Sequence, residues 1–302
     1  MFKLLGFFLG FLLLSATLNA GITNYQVIHQ SCKSPSEIIA LRSFLDDQTL
    51  TYFAVDPNTL ETLLVPAKDL NCSQEKLSPS SRYEKLLQII PTKTLILQNE
   101  GLEKHEQTSE VYLTFDLCPS HKAFEPELFD FLKTIRAKGF GKAFPVGISV
   151  SGTWMTAHLE ELKALQQLES NGSIKVTWMN HTRHHPYDPK LPDAHNFLLE
   201  KGVDPRSEMI DQEILMLEKK IKPSIFMRFP GLITDEAELN LVQELGLIPV
   251  GANAWIAITR TFKPGDIILI HGNGNEPAGI HMFFDLIKDK WLSFNWSRLE
   301  EW

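Results

Sequence analysis

A cluster of histidines is the densest group of chemically active side chains in the sequence. Three of the ten histidines lie within residues 180–186 (NHTRHHP), directly after the apolar run at 174–178. On a helical turn His181 and His185 would share one face, and this spacing lets two imidazoles bind one divalent ion, while His184 would point elsewhere. A solvated basic turn is the alternative, but a position at the exit of a predicted strand favours ion binding.

Three further side chains could transfer or hold protons. Asp116 follows the apolar run 111–115, and a carboxylate at the exit of a buried strand is unfavourable unless a partner pairs with it. Arg228 stands beside a rigid proline turn and is permanently charged, and His271 follows the apolar run 267–270, where an imidazole is suited to proton transfer. The alternatives are a helix-capping aspartate, a surface arginine in an ion pair and a hydrogen-bonded core histidine.

The elements that must position these groups alternate in type from residue 111 onward. Short apolar runs alternate with amphipathic segments, the βαβ pattern of a parallel sheet or barrel, in which active groups collect where strands end. Strands are predicted at 111–115, 144–150, 174–178, 225–229, 247–250 and 266–270. Helices are predicted at 126–137, 157–169, 207–220 and 235–245.

Four motifs in this order resemble the polysaccharide deacetylase family, the NodB-homology domain of the carbohydrate esterases. They are TFDL at 114–117, HTRHHP at 181–186, RFP at 228–230 and LIH at 269–271. The resemblance covers residues 111–288. It implies a distorted (β/α) barrel that removes acetyl groups from N-acetylated glycans, with peptidoglycan or an oligosaccharide as the substrate.

The resemblance also implies a role for each matching residue. Asp116 would be the general base, His271 the general acid, and Arg228 would orient the base. His181 and His185 would hold a divalent metal, for which zinc is the expected ion.

Other positions extend or weaken this resemblance. Substrate contacts are predicted at Phe229, Pro230 and Trp255. The family's second aspartate, a metal ligand, is Leu117 here, and the segment 251–255 (GANAW) keeps only the tryptophan of the motif that supplies a carboxylate to the general acid. A catalytically silent glycan-binding homologue that has lost its metal site is therefore the rival interpretation.

Cys118 could replace the missing ligand. Side chains alternate along an extended chain, so Asp116 and Cys118 should point the same way and Leu117 the opposite way. A thiolate is a good zinc ligand, which would give a site of one cysteine and two histidines. The alternatives are a buried thiol or a disulfide to Cys32 or Cys72, which could instead bond to each other.

The composition and the N-terminal residues predict where the protein is located and which partners it binds. The 302 residues contain 29 Lys+Arg and 37 Asp+Glu without a basic run, so no nucleic-acid partner is expected. Residues 1–20 read as a signal peptide, which predicts a secreted or periplasmic protein without stable membrane insertion after cleavage. Residues 21–110, including a strand pair at 50–55 and 60–65, are predicted to form a small α+β accessory region, and 111–302 the deacetylase-like domain.

Overall fold

The structure, a computed structural model, describes residues 21–33, 36–73, 81–89 and 97–302. The predicted signal peptide, residues 1–20, lies outside the described residues. Strands group into an N-terminal antiparallel sheet, a larger parallel sheet and a short antiparallel pair. The strands are β1 (Ile22–Lys33), β2 (Glu37–Asp46), β3 (Thr49–Val55), β4 (Thr62–Pro66), β5 (Asn71–Ser73), β6 (Leu97–Gln98), β7 (Glu110–Leu117), β8 (Phe144–Val150), β9 (Ile174–Asn180), β10 (Phe226–Met227), β11 (Ile233–Thr234), β12 (Ile248–Pro249), β13 (Ala254–Trp255), β14 (Ile267–His271) and β15 (Asn295–Trp296).

The helices lie mainly between the strands of the parallel sheet. They are α1 (Arg82–Gln88), α2 (Pro126–Thr134), α3 (Gly152–Ala157), α4 (Leu159–Ser170), α5 (Pro205–Glu218), α6 (Glu236–Glu244), α7 (Ile256–Thr259) and α8 (Pro277–Ile287). Short 3₁₀ helices occur at Ala67–Asp69, Asp193–His195, Phe197–Leu199, Pro230–Leu232, Trp291–Ser293 and Leu299–Glu301, and a π turn occurs at Arg136–Phe140. Within the described ranges, no helix has both the length and the apolar composition to span a bilayer.

The parallel sheet confirms the predicted α/β fold. Its strand order is β12-β10-β9-β8-β7-β14-β13, every neighbouring pair is parallel, and β15 pairs with β7. The strand β8 coincides with the predicted run 144–150, whereas β10 and β12 are shorter than predicted. All the strands point the same way, so their carboxyl ends meet at one edge of the sheet.

A segment before β7 lies between β12, at one end of this sheet, and β14, the strand next to the other end. Leu102 forms a parallel bridge with Val250, next to β12. Lys104 forms an antiparallel bridge with Asp266, next to β14. Gly101 permits this close approach, because its φ is 116° and a Cβ there would lie 2.2 Å from a backbone carbonyl oxygen. The distorted barrel is thus completed by residues that precede its first long strand.

The N-terminal sheet has the antiparallel order β4-β3-β2-β1-β5. The strands β3 and β4 form the predicted pair. Cys32 and Cys72 lie opposite each other in β1 and β5 and are joined by a disulfide, whereas Cys118 is a free thiol. The disulfide alternative for Cys118 is therefore wrong, and the bond that does form is typical of an oxidising compartment.

The N-terminal sheet shares a hydrophobic core with the barrel. Phe53 of β3 belongs to the same buried cluster as Met227 and Ile248. Buried Arg42 in β2 also donates to Glu213 of α5 through two hydrogen bonds of 2.8 and 2.9 Å. These contacts hold the sheet against one side of the barrel.

Candidate active site

The carboxyl ends of the parallel strands bring together most of the predicted site residues. Asp116 in β7 pairs in register with His271 in β14, and His181 directly follows β9. Asp116, His181, His185, Trp255 and His271 all line one cavity of about 290 Å³. Groups that are far apart in sequence therefore surround one space that could hold a small part of a substrate.

Asp116 is held by the guanidinium of Arg228. The Arg228 Nη1 donates to Asp116 Oδ1 at 2.7 Å, and both side chains are buried. The remaining Arg228 donors bind Thr114 Oγ1 and the carbonyl oxygens of Val250 and Gly251 at 2.9 to 3.1 Å. Burial alone would raise the pKa of Asp116, but Arg228, His181 and His271 together outweigh it and hold the pKa below its usual value. The carboxylate is thus ionised and able to accept a proton.

The histidine segment forms a loop, so the helical turn considered from the sequence is wrong. β9 ends at Asn180, whose side-chain oxygen accepts a hydrogen bond from the Thr182 backbone at 2.9 Å. Thr182 and His185 then have φ values of 67° and 52°, a conformation that is strained for residues other than glycine. This loop still brings the rings of His181 and His185 to a centroid distance of 4.6 Å.

The hydrogen bonds of the three histidines differ. His181 Nδ1 lies 2.9 Å from the carbonyl oxygen of Arg228, so this nitrogen carries a proton, and Nε2 is the nitrogen that lies beside Cys118. His185 is 9% exposed, and neither of its ring nitrogens has a hydrogen-bond partner among the residues that the structure describes. His184 points away and pairs with Glu208 at 2.6 Å. Of the three histidines in this loop, His181 and His185 are therefore the two that face the cavity.

Cys118 lies where strand alternation predicts. Its Sγ is 3.4 Å from His181 Nε2 and lines the same cavity, while Leu117 points into the hydrophobic core. The ligand atoms of Cys118, His181 and His185 all lie within 4.8 Å of one another. Burial alone would raise the pKa of the thiol, but His185 and His181 outweigh it and hold the pKa well below its usual value. One sulfur and two nitrogens are a donor set that suits zinc.

A carboxylate beside His271 is present, although the sequence indicated that it was missing. His271 Nδ1 is 3.0 Å from Glu276 Oε2, and the same oxygen accepts a hydrogen bond from Trp255 Nε1 at 2.9 Å. Burial alone would lower the pKa of His271, but contacts with Cys118 and Glu276 raise it well above its usual value. Glu276 precedes the proline that begins α8, five residues after His271, and this helix-start signal was the only indication in the sequence.

The predicted substrate contacts divide into two groups. Trp255 lines the cavity, with its ring centroid 5.5 Å from that of His271. Phe229 and Pro230 are buried and do not line it, so their placement does not support direct contact with a substrate. Sequence reasoning missed Tyr187 at the mouth of the cavity, which is 61% exposed and stacks on Phe197.

Comparisons with known proteins give one family model and several solved structures. Residues 23–93 match a family model described as the RP012 protein N-terminal domain. The protein is similar to a family 4 carbohydrate esterase from Bacillus anthracis, with 19% identity over 72% of this chain and 90% of that chain and a TM-score of 0.49. It is also similar to the chitin deacetylase of the fungal pathogen Colletotrichum lindemuthianum, with 18% identity over 68% of this chain and 92% of that chain and a TM-score of 0.46.

A third similar structure is a family 4 carbohydrate esterase pseudoenzyme from Bacillus anthracis. The match covers 93% of this chain and 88% of that chain, with 13% identity and a TM-score of 0.45. At these identities the likeness concerns the fold alone and assigns no role to any side chain.

Proposed function

We propose that this protein removes acetyl groups from N-acetylated glycans, with peptidoglycan or an oligosaccharide as the substrate, by metal-assisted hydrolysis. The observation that carries the proposal is the meeting of three kinds of group on one cavity. They are the carboxylate of Asp116 paired with Arg228, the imidazole pair of His181 and His185, and the imidazole of His271. A base, a set of metal ligands and an acid are the groups that metal-assisted hydrolysis of an amide uses.

Each of these groups has a step to perform. Asp116 accepts a proton from the attacking water, and Arg228 keeps it ionised and fixed in orientation. His271 donates a proton to the departing amine, and Glu276 holds its imidazole through Nδ1. His181 and His185 would hold a divalent ion, for which we propose zinc; when bound, it polarises the acetyl carbonyl and lowers the pKa of the attacking water.

The lining of the cavity fits an acetylated sugar. Leu232, Leu269 and Trp255 form a small apolar cluster beside His271, which suits the methyl group of an acetamide. The exposed ring of Tyr187 at the mouth offers a flat apolar face for a sugar ring. We expect a neutral glycan chain to lie across this mouth with one acetamide inserted.

The proposed compartment is outside the cytoplasm. The apolar residues 1–20 support export with cleavage, after which no stable membrane insertion is expected. The Cys32–Cys72 disulfide supports an oxidising compartment, such as the periplasm or the extracellular medium. A formal charge of −8 without a basic run argues against a nucleic-acid partner.

The test is the release of acetate from defined glycans. Purified protein is incubated with oligomers of N-acetylglucosamine and with peptidoglycan, and free acetate is measured by NMR spectroscopy. We expect Asp116→Asn and His271→Gln to lower the rate at least about a hundredfold, because each removes a proton-transfer group. The matched control is His281→Gln. His281 lies exposed on α8 and pairs with Glu127, and neither residue lines the cavity.

Two outcomes would contradict the proposal. Equal rates of acetate release in the wild type and both site variants would show that a contaminant releases the acetate. Glycan binding by the wild-type protein without acetate release, in the presence of zinc, would support the silent glycan-binding homologue.

A further inference from the structure

We infer that Cys118 is a third protein ligand of the metal, so that the site is a Cys/His/His zinc site with one position open to water. The inference deepens the proposed function and rests on it. Cys118 Sγ and His181 Nε2 are 3.4 Å apart. Two ligands at the tetrahedral angle around zinc, with bonds of about 2.3 Å to sulfur and about 2.0–2.1 Å to nitrogen, are about 3.6 Å apart. The observed distance therefore suits two ligands of one ion.

His181 is already prepared for this role by its other ring nitrogen. Its Nδ1 donates to the backbone carbonyl oxygen of Arg228 at 2.9 Å, which orients the ring so that Nε2 lies beside Cys118. Arg228 also binds Asp116 through its side chain. One residue thus orients both a metal ligand and the general base.

His185 provides an independent indication of a ligand. It is buried, and within the described part of the chain both of its ring nitrogens lack a hydrogen-bond partner. A buried polar atom without a partner is unfavourable, and native structures rarely leave one. Because its ring lies against that of His181 at the same cavity, an ion shared with Cys118 would satisfy one of these nitrogens.

A second group of possible ligands shares the same sulfur but is less suitable. The ligand atoms of Asp116, Cys118 and His271 also lie within 4.8 Å of one another. However, Arg228 already binds Asp116, and Glu276 already binds His271 Nδ1. Only the first group contains His185, whose ring nitrogens have no hydrogen-bond partner among the described residues, so we place the ion between the sulfur and the two histidines.

A thiolate beside an imidazole is also typical of cysteine hydrolases, in which the sulfur attacks the substrate. That arrangement would use one histidine and would leave His185 without a role. The geometry consequently favours the metal ligand over the nucleophile.

The test uses the absorption spectrum of bound cobalt(II), which detects a sulfur ligand directly. The full protein is stripped with a chelator and loaded with cobalt(II), and its absorption spectrum is recorded together with zinc content and zinc affinity. We expect one ion per chain and a thiolate-to-cobalt charge-transfer band in the near ultraviolet. In Cys118→Ser the band should disappear and the zinc affinity should fall at least about tenfold.

Two further variants and a fold check complete the design. His185→Ala should lose affinity like Cys118→Ser, while His184→Ala should keep both the band and the affinity, because His184 binds Glu208 outside the cavity. Far-ultraviolet circular dichroism verifies that each variant is folded. If Cys118→Ser misfolds, loss of the charge-transfer band in His185→Ala and its presence in His184→Ala still test the ligand set.

The possible failures are distinguishable. One cobalt per chain without the sulfur band, and unchanged affinity in Cys118→Ser, would overturn the inference and leave the metal-assisted hydrolase standing. Acetate release without any metal, together with inactivation of the wild type by iodoacetamide, would identify a thiolate nucleophile and overturn both.

Discussion

Replacing Arg228 by methionine should strongly destabilise the protein as well as inactivate it. The guanidinium is fully buried and makes hydrogen bonds to Asp116, Thr114 and the carbonyl oxygens of Val250 and Gly251. Its removal would leave the buried carboxylate without its closest ion-pair partner. Breaking a buried ion pair by removing one partner decreases the free energy of unfolding by about 3–5 kcal/mol.

The effect should depend on pH in a defined direction. In the wild-type protein the pKa of Asp116 is lowered, so the pair contributes stability above the unfolded pKa, which is lost as pH falls through the folded pKa. In Arg228→Met the largest of the charges that oppose the burial of Asp116 is lost, so the pKa of Asp116 should rise. The difference in unfolding free energy between wild type and variant should therefore be largest at neutral pH and should shrink in acid.

Urea unfolding followed by circular dichroism measures these differences. Asp116→Asn and the double variant with Arg228→Met complete a double-mutant cycle, which should give a coupling free energy above about 1 kcal/mol. The control is Arg206→Met, which removes an exposed arginine paired with Glu244 and should change the unfolding free energy by less than about 1 kcal/mol. A loss of similar size in both arginine variants, or additive effects in the cycle, would refute the reasoning.

Three other predictions concern separate parts of the molecule. Glu276→Gln should lower the pKa of His271, so the alkaline limb of the kcat profile should move to lower pH, and an unchanged profile would exclude this role. Burial raises the pKa of Glu238 to about 7, so the native protein loses stability as pH rises from the pKa of Glu238 in the unfolded chain through about 7. In urea at mildly alkaline pH, Glu238→Gln should therefore be up to about 3 kcal/mol more stable than the wild type, with no gain in acid. Reducing the bond between Cys32 and Cys72, 40 residues apart, should decrease the unfolding free energy by about 4 kcal/mol in the chain-entropy treatment, and a change below about 1 kcal/mol would contradict it.

The sequence predicted those parts of the fold and site that depend on local periodicity. The wholly apolar run of β8 could be placed from its residues alone, because a strand buried on both faces has a continuous apolar sequence. Cys118 could be placed beside Asp116 because alternation along an extended chain is a local property. The common edge for Asp116 and His271 followed from the parallel arrangement of their strands.

Other features of the fold and site depend on tertiary contacts that leave no local pattern in the sequence. Glu276 reaches His271 only because the chain after β14 turns back before α8, and no spacing rule connects the two side chains. The positive φ of His185 replaces a helical turn with a loop that tertiary contacts hold. Leu102 completes the barrel from within the predicted accessory region, since bridges to distant segments leave no local pattern.

The most direct measurement of the central claim is a titration of acetate release with zinc. Chelator-treated protein is supplied with increasing zinc and an N-acetylglucosamine oligomer, and the rate of acetate formation is recorded by NMR spectroscopy. The rate should start near zero and rise linearly until one zinc per chain is present, and then stay constant. A full rate in the chelator, or no acetate at any zinc concentration, would contradict the assignment of this cavity as a metal-assisted deacetylase.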